Sequence, residues 1–397
     1  MPDRMELHSR LERYLGAIET ALVAPQEAML DRSLSKGRQT GGWGYAENGS
    51  AEMGREMKDM SDWSLSCLHR FTVRWIRALS VALFVGLPVL ESRADVPEPL
   101  DLPAEVRAMP IADAHLHYKW NQAEVTSPQE AAAALRANNV QLAVVTGTPA
   151  ARVLELYEAA PEIVVPIFGA YRQGGDWFGW QGRASLVDEA RDALENGPYR
   201  GIGELHLIGG FAMRWNRSDV LRALLALTAE HDVPMLIHTE FSRAEPTLSI
   251  CEANPKNRIV LAHAGAALPP AEVRRVLDAC PNVWMDLSAR DPWRFVRFPI
   301  SGEEGRLLPE WEALVVEYPD RFLAGSDAVW PVDRLDAWDR ADTGWEHIGA
   351  FLDFHRRWAS FLPEEVQRKV LLENAVALFR PAGSKSGVSP PTNRITD

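Results

Sequence analysis

The stretch Ile111-Ala112-Asp113-Ala114-His115-Leu116-His117-Tyr118 decides how this chain is read. It begins apolar and turns polar, the order of a buried strand that ends in a site. Side chains alternate along a strand, so His115 and His117 share a face and can hold one ion between them. A lone His-x-His also fits a core pair with satisfied hydrogen bonds, so the weight falls on what accompanies it.

Around it lie seven more short β-branched or apolar runs. The eight together are 109–114, 140–146, 163–171, 199–205, 233–239, 258–264, 283–288 and 322–326. Helical patterns separate them at 127–138, 184–195, 218–231, 270–279 and 304–318, the first with Ser127 as cap and Pro128 in its first turn. Strands alternating with helices predict repeated βα units on a parallel sheet, and eight of them in roughly 220 residues match a (β/α)8 TIM barrel. Two extra C-terminal helices are expected at 345–361 and 363–379, with a polar tail at 381–397.

The barrel is expected over 108–380. Before it, 1–59 is a polar extension with no readable chemistry, and 95–107 is a linker containing three prolines. Between them, Arg70, Arg74 and Arg77 precede the apolar run 78–90 and then Ser92-Arg93-Ala94. That is the order of a secretory signal with cleavage after Ala94, and the protein would then be exported. The run is too short for a membrane span, which needs about 20 residues. Its distance from Met1 fits a true start at Met53, Met57 or Met60. The other reading of 60–94 is an apolar helix belonging to the fold, in a protein that stays in the cytoplasm.

A net charge of −13, from 42 Lys and Arg against 55 Asp and Glu, argues against a nucleic-acid backbone as partner. A small-molecule substrate is expected, with self-association left open. Cys67, Cys251 and Cys280 show no CxxC spacing, so neither a thiolate metal site nor a disulfide can be read from them.

In such barrels the working residues sit at the carboxyl ends of the strands. Five of the ten histidines fall there: His115 and His117 on run one, His206 after run four, His238 on run five and His263 on run six. Glu204 and Asp327 close runs four and eight. Each alone has a structural reading, but together they predict a metal centre. Imidazole with carboxylate and no sulfur suits zinc first, then manganese, iron or cobalt, as one or two ions. An open position on such an ion lowers the pKa of water from 15.7 to about 7.

The set His115-x-His117, Gly203-Glu204, His238, His263 and Gly325-Ser326-Asp327 resembles the amidohydrolase superfamily. The closing Asn374-Ala375-Val376-Ala377-Leu378-Phe379 resembles the segment that ends many members of its amidohydrolase-related branch. The resemblance covers 108–380. It implies that His115, His117 and His238 are metal ligands and that Asp327 both binds the ion and takes a proton from the attacking water. It also implies that His263 either binds a second metal or acts as an acid or electrophile. Glu204 stands where TatD-like members carry a carboxylate that bridges two metals, and where phosphotriesterase-like members carry lysine.

The expected activity is a metal-dependent hydrolase attacking an ester, amide or lactone carbonyl. The alternative is a non-oxidative decarboxylase or hydratase of an aromatic-derived acid, which pocket arginines would favour. A catalytically silent metal-binding barrel is a third reading. Arg172, Arg290 and Arg294 are candidates to grip a substrate carboxylate, and His206 is a candidate pocket residue. Trp120, Trp177, Trp180, Trp293 and Trp330 are candidates for an aromatic wall.

Overall fold

The computed structural model describes residues 97–208, 214–294, 299–302, 304–332 and 340–380, all within the compact unit Ser92–Asp397. The expectations for 1–59, 60–94 and 381–397 therefore lie outside the described residues. Where the linker was expected to run up to residue 107, Pro103 starts a one-turn helix, α1 (Ala104–Arg107).

Eight strands follow: β1 (Ile111–Lys119), β2 (Val140–Thr148), β3 (Val164–Ile167), β4 (Ile202–Leu207), β5 (Pro234–Thr239), β6 (Arg258–Leu261), β7 (Val283–Asp286) and β8 (Phe322–Leu323). They form two parallel sheets, β1-β2-β3 and β4-β5-β6-β7-β8. Backbone bonds close both seams. Phe168 N donates to Gly201 O at 2.8 Å and Gly203 N to Phe168 O at 3.0 Å; on the other side Ala114 N donates to Ala324 O at 2.9 Å and Asp327 N to His115 O at 2.7 Å. The result is the closed (β/α)8 barrel the alternation predicts.

A single turn, α2 (Trp120–Ala123), follows β1 at the mouth of the barrel, and the outer layer contains α3 (Pro128–Ala137), α4 (Arg152–Ala159), α5 (Ser185–Asn196), α6 (Asp219–Glu230), α7 (Glu245–Ala253), α8 (Pro270–Ala279) and α9 (Pro309–Glu317). The start of α3 is fixed by a capping box: Glu130 N donates to Ser127 Oγ, and Ser127 N donates to Glu130 Oε2. Two orphan donors of the first turn are thereby satisfied. Helix α9 begins later than the 304–318 pattern predicts. Pro309 occupies its first turn, and Ser301 pairs antiparallel with Leu307 just before it.

The 345–361 and 363–379 patterns become α10 (Ile348–Ala359), α11 (Glu364–Arg368), a π-helical turn at Lys369–Glu373 and α12 (Asn374–Phe379). Ala375, Leu378 and Phe379 of α12 pack in one cluster with Ala112, Ala114, Leu142, Val144, Val165, Ile167, Leu236, Val260 and Leu323 from six of the strands. The last helix thus fills the floor of the barrel, and Asn374 Nδ2 holds it there by donating to Pro319 O and Phe322 O. Among the described residues, no helix is long and apolar enough to cross a membrane.

Strand β1 changes face on the way up. Ala112 and Ala114 belong to the inner cluster, which by simple alternation would send His115 and His117 outward. Its register with β2 shifts between Asp113 and Leu116. Leu116 then joins the outer core, and the two histidines face inward.

Candidate metal centre

At the carboxyl end of the barrel, six of the expected residues meet. His115 Nε2 lies 3.1 Å from His117 Nε2, 3.5 Å from Glu204 Oε2 and 3.9 Å from Asp327 Oδ1. His117 Nε2 lies 3.3 Å from Glu204 Oε2 and 3.4 Å from Asp327 Oδ1. From the other side, His238 Nδ1 approaches Glu204 Oε1 at 2.8 Å, and His263 Nε2 stands 3.5 Å from Glu204 Oε1 and 3.9 Å from Asp327 Oδ2. Donor atoms this close, from β1, β4 and β5 and the turns after β6 and β8, fit one or two shared cations.

Local backbone geometry makes the convergence possible. Gly203 has φ +138°, and a Cβ there would sit 2.4 Å from Leu236 O, so glycine before Glu204 is a steric requirement. At Gly325 a Cβ would meet Asp286 Oδ1 at 2.8 Å and His115 Cβ at 3.1 Å. Absence of a side chain lets the end of β8 come against β1. His263 (φ 54°) and Asp327 (φ 43°) are both left-handed non-glycine residues, a conformation that concentrates at functional sites.

Burial would suppress charge on all these groups, but each carboxylate meets imidazoles. Burial raises Glu204, yet the imidazoles of His206, His115 and His238 outweigh it and hold the carboxyl well below its ordinary range; burial keeps His206 itself well below 6.5, so the charged partners near neutral pH are His115 and His238. Burial lowers His115, while Glu204, Asp286 and Asp327 bring it well above 6.5. His238 is likewise raised to about 9, chiefly by Glu204 acting against burial. A divalent ion would replace the protons that this balance favours.

A supporting layer escaped the sequence reading. Asp286, the last residue of β7, places Oδ2 2.6 Å from His115 Nδ1 and accepts Ser288 Oγ–H at 2.7 Å. Ser288 Oγ and its carbonyl stand 2.9 and 3.1 Å from His263 Nδ1. Asp113 Oδ1 accepts from Ser326 N at 2.8 Å, and burial pushes this carboxyl up to about 7. In the sequence Asp286 lies inside the run 283–288, two residues short of its end, and only the structure shows the strand stopping at Asp286.

The arginines lie elsewhere. Arg172 is exposed and paired with Glu189 at 2.6 Å. Arg290 is buried behind His263, with Nε donating to the His263 carbonyl at 2.7 Å and its guanidinium over Trp311. Arg294 pairs with Asp291 and binds the carbonyls of Ser326 and Asp327. All three serve the framework: the first is held by a surface partner, and the other two satisfy carbonyls of the turns that carry His263 and Asp327.

The cavity over the site measures about 280 Å3 and is lined by His117, His206, His238, His263, Glu204 and Asp327 among others. Trp120, Trp177, Tyr171, Val329, Pro331 and Val332 supply its apolar wall, with Lys119 and Asp342 beside them. Lys119 Nζ binds Asp342 Oδ2 at 2.7 Å, both buried. Trp330, expected in the wall, is not among the lining residues and sets its ring edge-on to His347. Trp180 is buried with Nε1 donating to His206 O, and Trp293 packs on Phe351. Tyr171, Lys119 and Asp342 are not among the sequence candidates: Tyr171 closes the run 163–171, which was its available signal, whereas nothing local marks Lys119 or Asp342.

A family model described as amidohydrolase matches residues 97–380. No curated protein matches the chain. Among solved structures it is similar to a zinc-bound amidohydrolase from Burkholderia multivorans, at 15% identity and a TM-score of 0.43, covering 68% of this chain and 99% of that one. A putative amidohydrolase from Staphylococcus aureus gives 13% and 0.45 over 68% and 99%. A TatD homologue from Escherichia coli K12 gives 17% and 0.48 over 69% and 98%.

Proposed function

Because this chain belongs to the amidohydrolase family, we propose that it is a metal-dependent hydrolase acting on an ester, amide or lactone of a small molecule. The observation that carries this reading is the meeting of His115, His117, Glu204, His238, His263 and Asp327 at the base of one small cavity. His115, His117, His238 and Asp327 would hold a divalent ion, zinc by donor chemistry, with Glu204 and His263 available to a second. When bound, the ion supplies a strong nucleophile from water near neutral pH and polarises the carbonyl.

Asp327 would take the proton, a role supported by its two oxygens, which lie 3.4 Å from His117 Nε2 and 3.9 Å from His263 Nε2. If a single ion binds, His263 Nε2 faces the same space and serves the developing oxyanion. The Trp120, Trp177 and Tyr171 side chains favour a substrate with a flat or apolar part and exclude water around it. Among the described residues no arginine lines the cavity, so none of them supplies the carboxylate grip that would favour the decarboxylase or hydratase reading.

The test begins with metal analysis of the purified full chain, where about one equivalent assigns His263 to catalysis and about two assign Glu204 as a bridge. Stripped and zinc-reloaded protein is then offered ester, lactone and amide panels beside hydroxybenzoates. Zinc-dependent hydrolysis is expected, and Asp327→Asn should lose about 10²–10⁴-fold in kcat, the usual worth of a positioned base. Release of carbon dioxide with no hydrolysis would replace this reading with the lyase.

A further inference from the structure

His206 lines the cavity beside the metal-ligand set and has no part in the chemistry above, and Tyr171, which so far only walls the cavity, stands against it. His206 offers a ring nitrogen to the same space: its Nε2 stands 3.9 Å from Glu204 Oε2, and with Glu204 and His238 it makes a geometrically plausible ligand trio. Whether it gives an ion a lone pair or gives a substrate a proton-bearing nitrogen depends on its tautomer. That is set by the other ring nitrogen.

Nδ1 of His206 lies 2.9 Å from the Tyr171 hydroxyl, and the backbone N–H of His206 donates to the same oxygen at 2.8 Å. A hydroxyl has one proton to give and two lone pairs. The backbone N–H can only donate, so it takes one lone pair. Tyr171 is buried, and a buried O–H with no acceptor is costly, which directs its proton to Nδ1. Nδ1 is then the acceptor, and the ring proton sits on Nε2.

The ring cannot readily turn away from this arrangement. Trp177 stacks on one face with centroids 4.4 Å apart and planes at 13°, and His238 stacks on the other at 4.4 Å and 23°. We infer that Tyr171 locks His206 in the Nε2–H form, so that His206 donates a hydrogen bond to an oxygen of the substrate and is not a metal ligand. A substrate carrying a carbonyl, carboxylate or hydroxyl oxygen between the ion and Trp177 meets that donor, while its apolar part lies against the indole. The substrate contact rests on the hydrolase reading; the tautomer and the exclusion from the metal shell do not.

The experiment uses the full chain labelled with 15N-histidine, in long-range 1H–15N spectra with and without zinc, His206 being assigned from the resonance lost in His206→Gln. Nε2 should carry the proton in both states, and Tyr171→Phe should change the tautomer or broaden it into a mixture. In zinc titrations His206→Gln should keep wild-type stoichiometry and an affinity within about threefold, whereas His117→Gln weakens it by at least about tenfold. With dihydrocoumarin as probe, zinc-loaded His206→Ala should lose about tenfold in kcat/KM, the worth of one hydrogen bond. An Nδ1–H tautomer in the wild type, or loss of zinc in His206→Gln, overturns the inference whatever the catalytic result. If wild-type protein is inert toward the whole ester, lactone and amide panels while both spectral and zinc results hold, the hydrolase reading falls and the locked tautomer stands.

Discussion

Asp286 Oδ2 lies 2.6 Å from His115 Nδ1, and both side chains are wholly buried. The carboxylate fixes the ring so that its Nε2 is turned toward His117 and Glu204. A buried carboxylate behind a ligating imidazole sets both orientation and basicity. Asp286→Asn should therefore weaken zinc binding by about 10–100-fold while leaving the circular dichroism spectrum unchanged. Chelator competition measures it, and unaltered affinity would show that His115 is oriented by packing alone.

Gly325 admits no side chain for a related reason. A Cβ would stand 2.8 Å from Asp286 Oδ1 and 3.1 Å from His115 Cβ, inside van der Waals contact with both. Gly325→Ala should destabilise the protein by about 1–3 kcal/mol, the usual cost of overpacking a rigid core. It should also lower zinc affinity, because the atoms that must move carry the site. Urea unfolding and zinc titration on the same variant test both effects; normal values in both would mean that the chain relaxes freely here.

His355, on α10, is buried, and its Nε2 lies 2.7 Å from Gly325 O. As a neutral ring it donates that bond. Burial brings its pKa from 6.5 down to about 4. In the unfolded chain it protonates near 6.5, so its contribution is intact above that pH and is lost as pH falls from 6.5 toward 4. The full loss is about 3 kcal/mol. His355→Gln, which keeps an N–H donor but cannot titrate, should show a flatter decline in unfolding free energy over that window. Parallel slopes for the two proteins would refute the assignment.

Cys251 and Cys280 are paired in the structure, with Cα atoms 5.9 Å apart and both side chains buried. Cys67 falls outside the described residues. Denatured, unreduced full-length protein should give one thiol per chain with a thiol reagent and three after reduction. We propose that 60–94 directs export, in which case the native protein starts near Asp95 and gives none before reduction, in keeping with the oxidising compartments where disulfides persist. Amino-terminal sequencing checks the start, and a terminus at Met1 removes the export proposal.

Strand positions and those of most helices were legible from periodicity because each element must bury one face, a requirement written locally in residue type; α4 and α7 were not among the expected helices. The convergence of His115, His117, Glu204, His238, His263 and Asp327 was legible for a second reason: in a parallel barrel, the carboxyl end of every strand opens on the same mouth. The sequence alone could not place the arginines. An arginine reaches several ångströms from its backbone, and whether it meets substrate, as expected of Arg172, or a carbonyl, as found for Arg290 and Arg294, depends on partners distant in the chain.

The same holds for Tyr171 beside His206, Asp286 behind His115 and Cys251 beside Cys280, pairs that only barrel closure and helix packing bring into contact. The inward turn of His115 and His117 also came from tertiary structure, through the register shift between β1 and β2. Local pattern specifies which elements form and which face each buries. Side-chain contacts between remote elements depend on distances of a few tenths of an ångström, which exist only once the eight strands have closed.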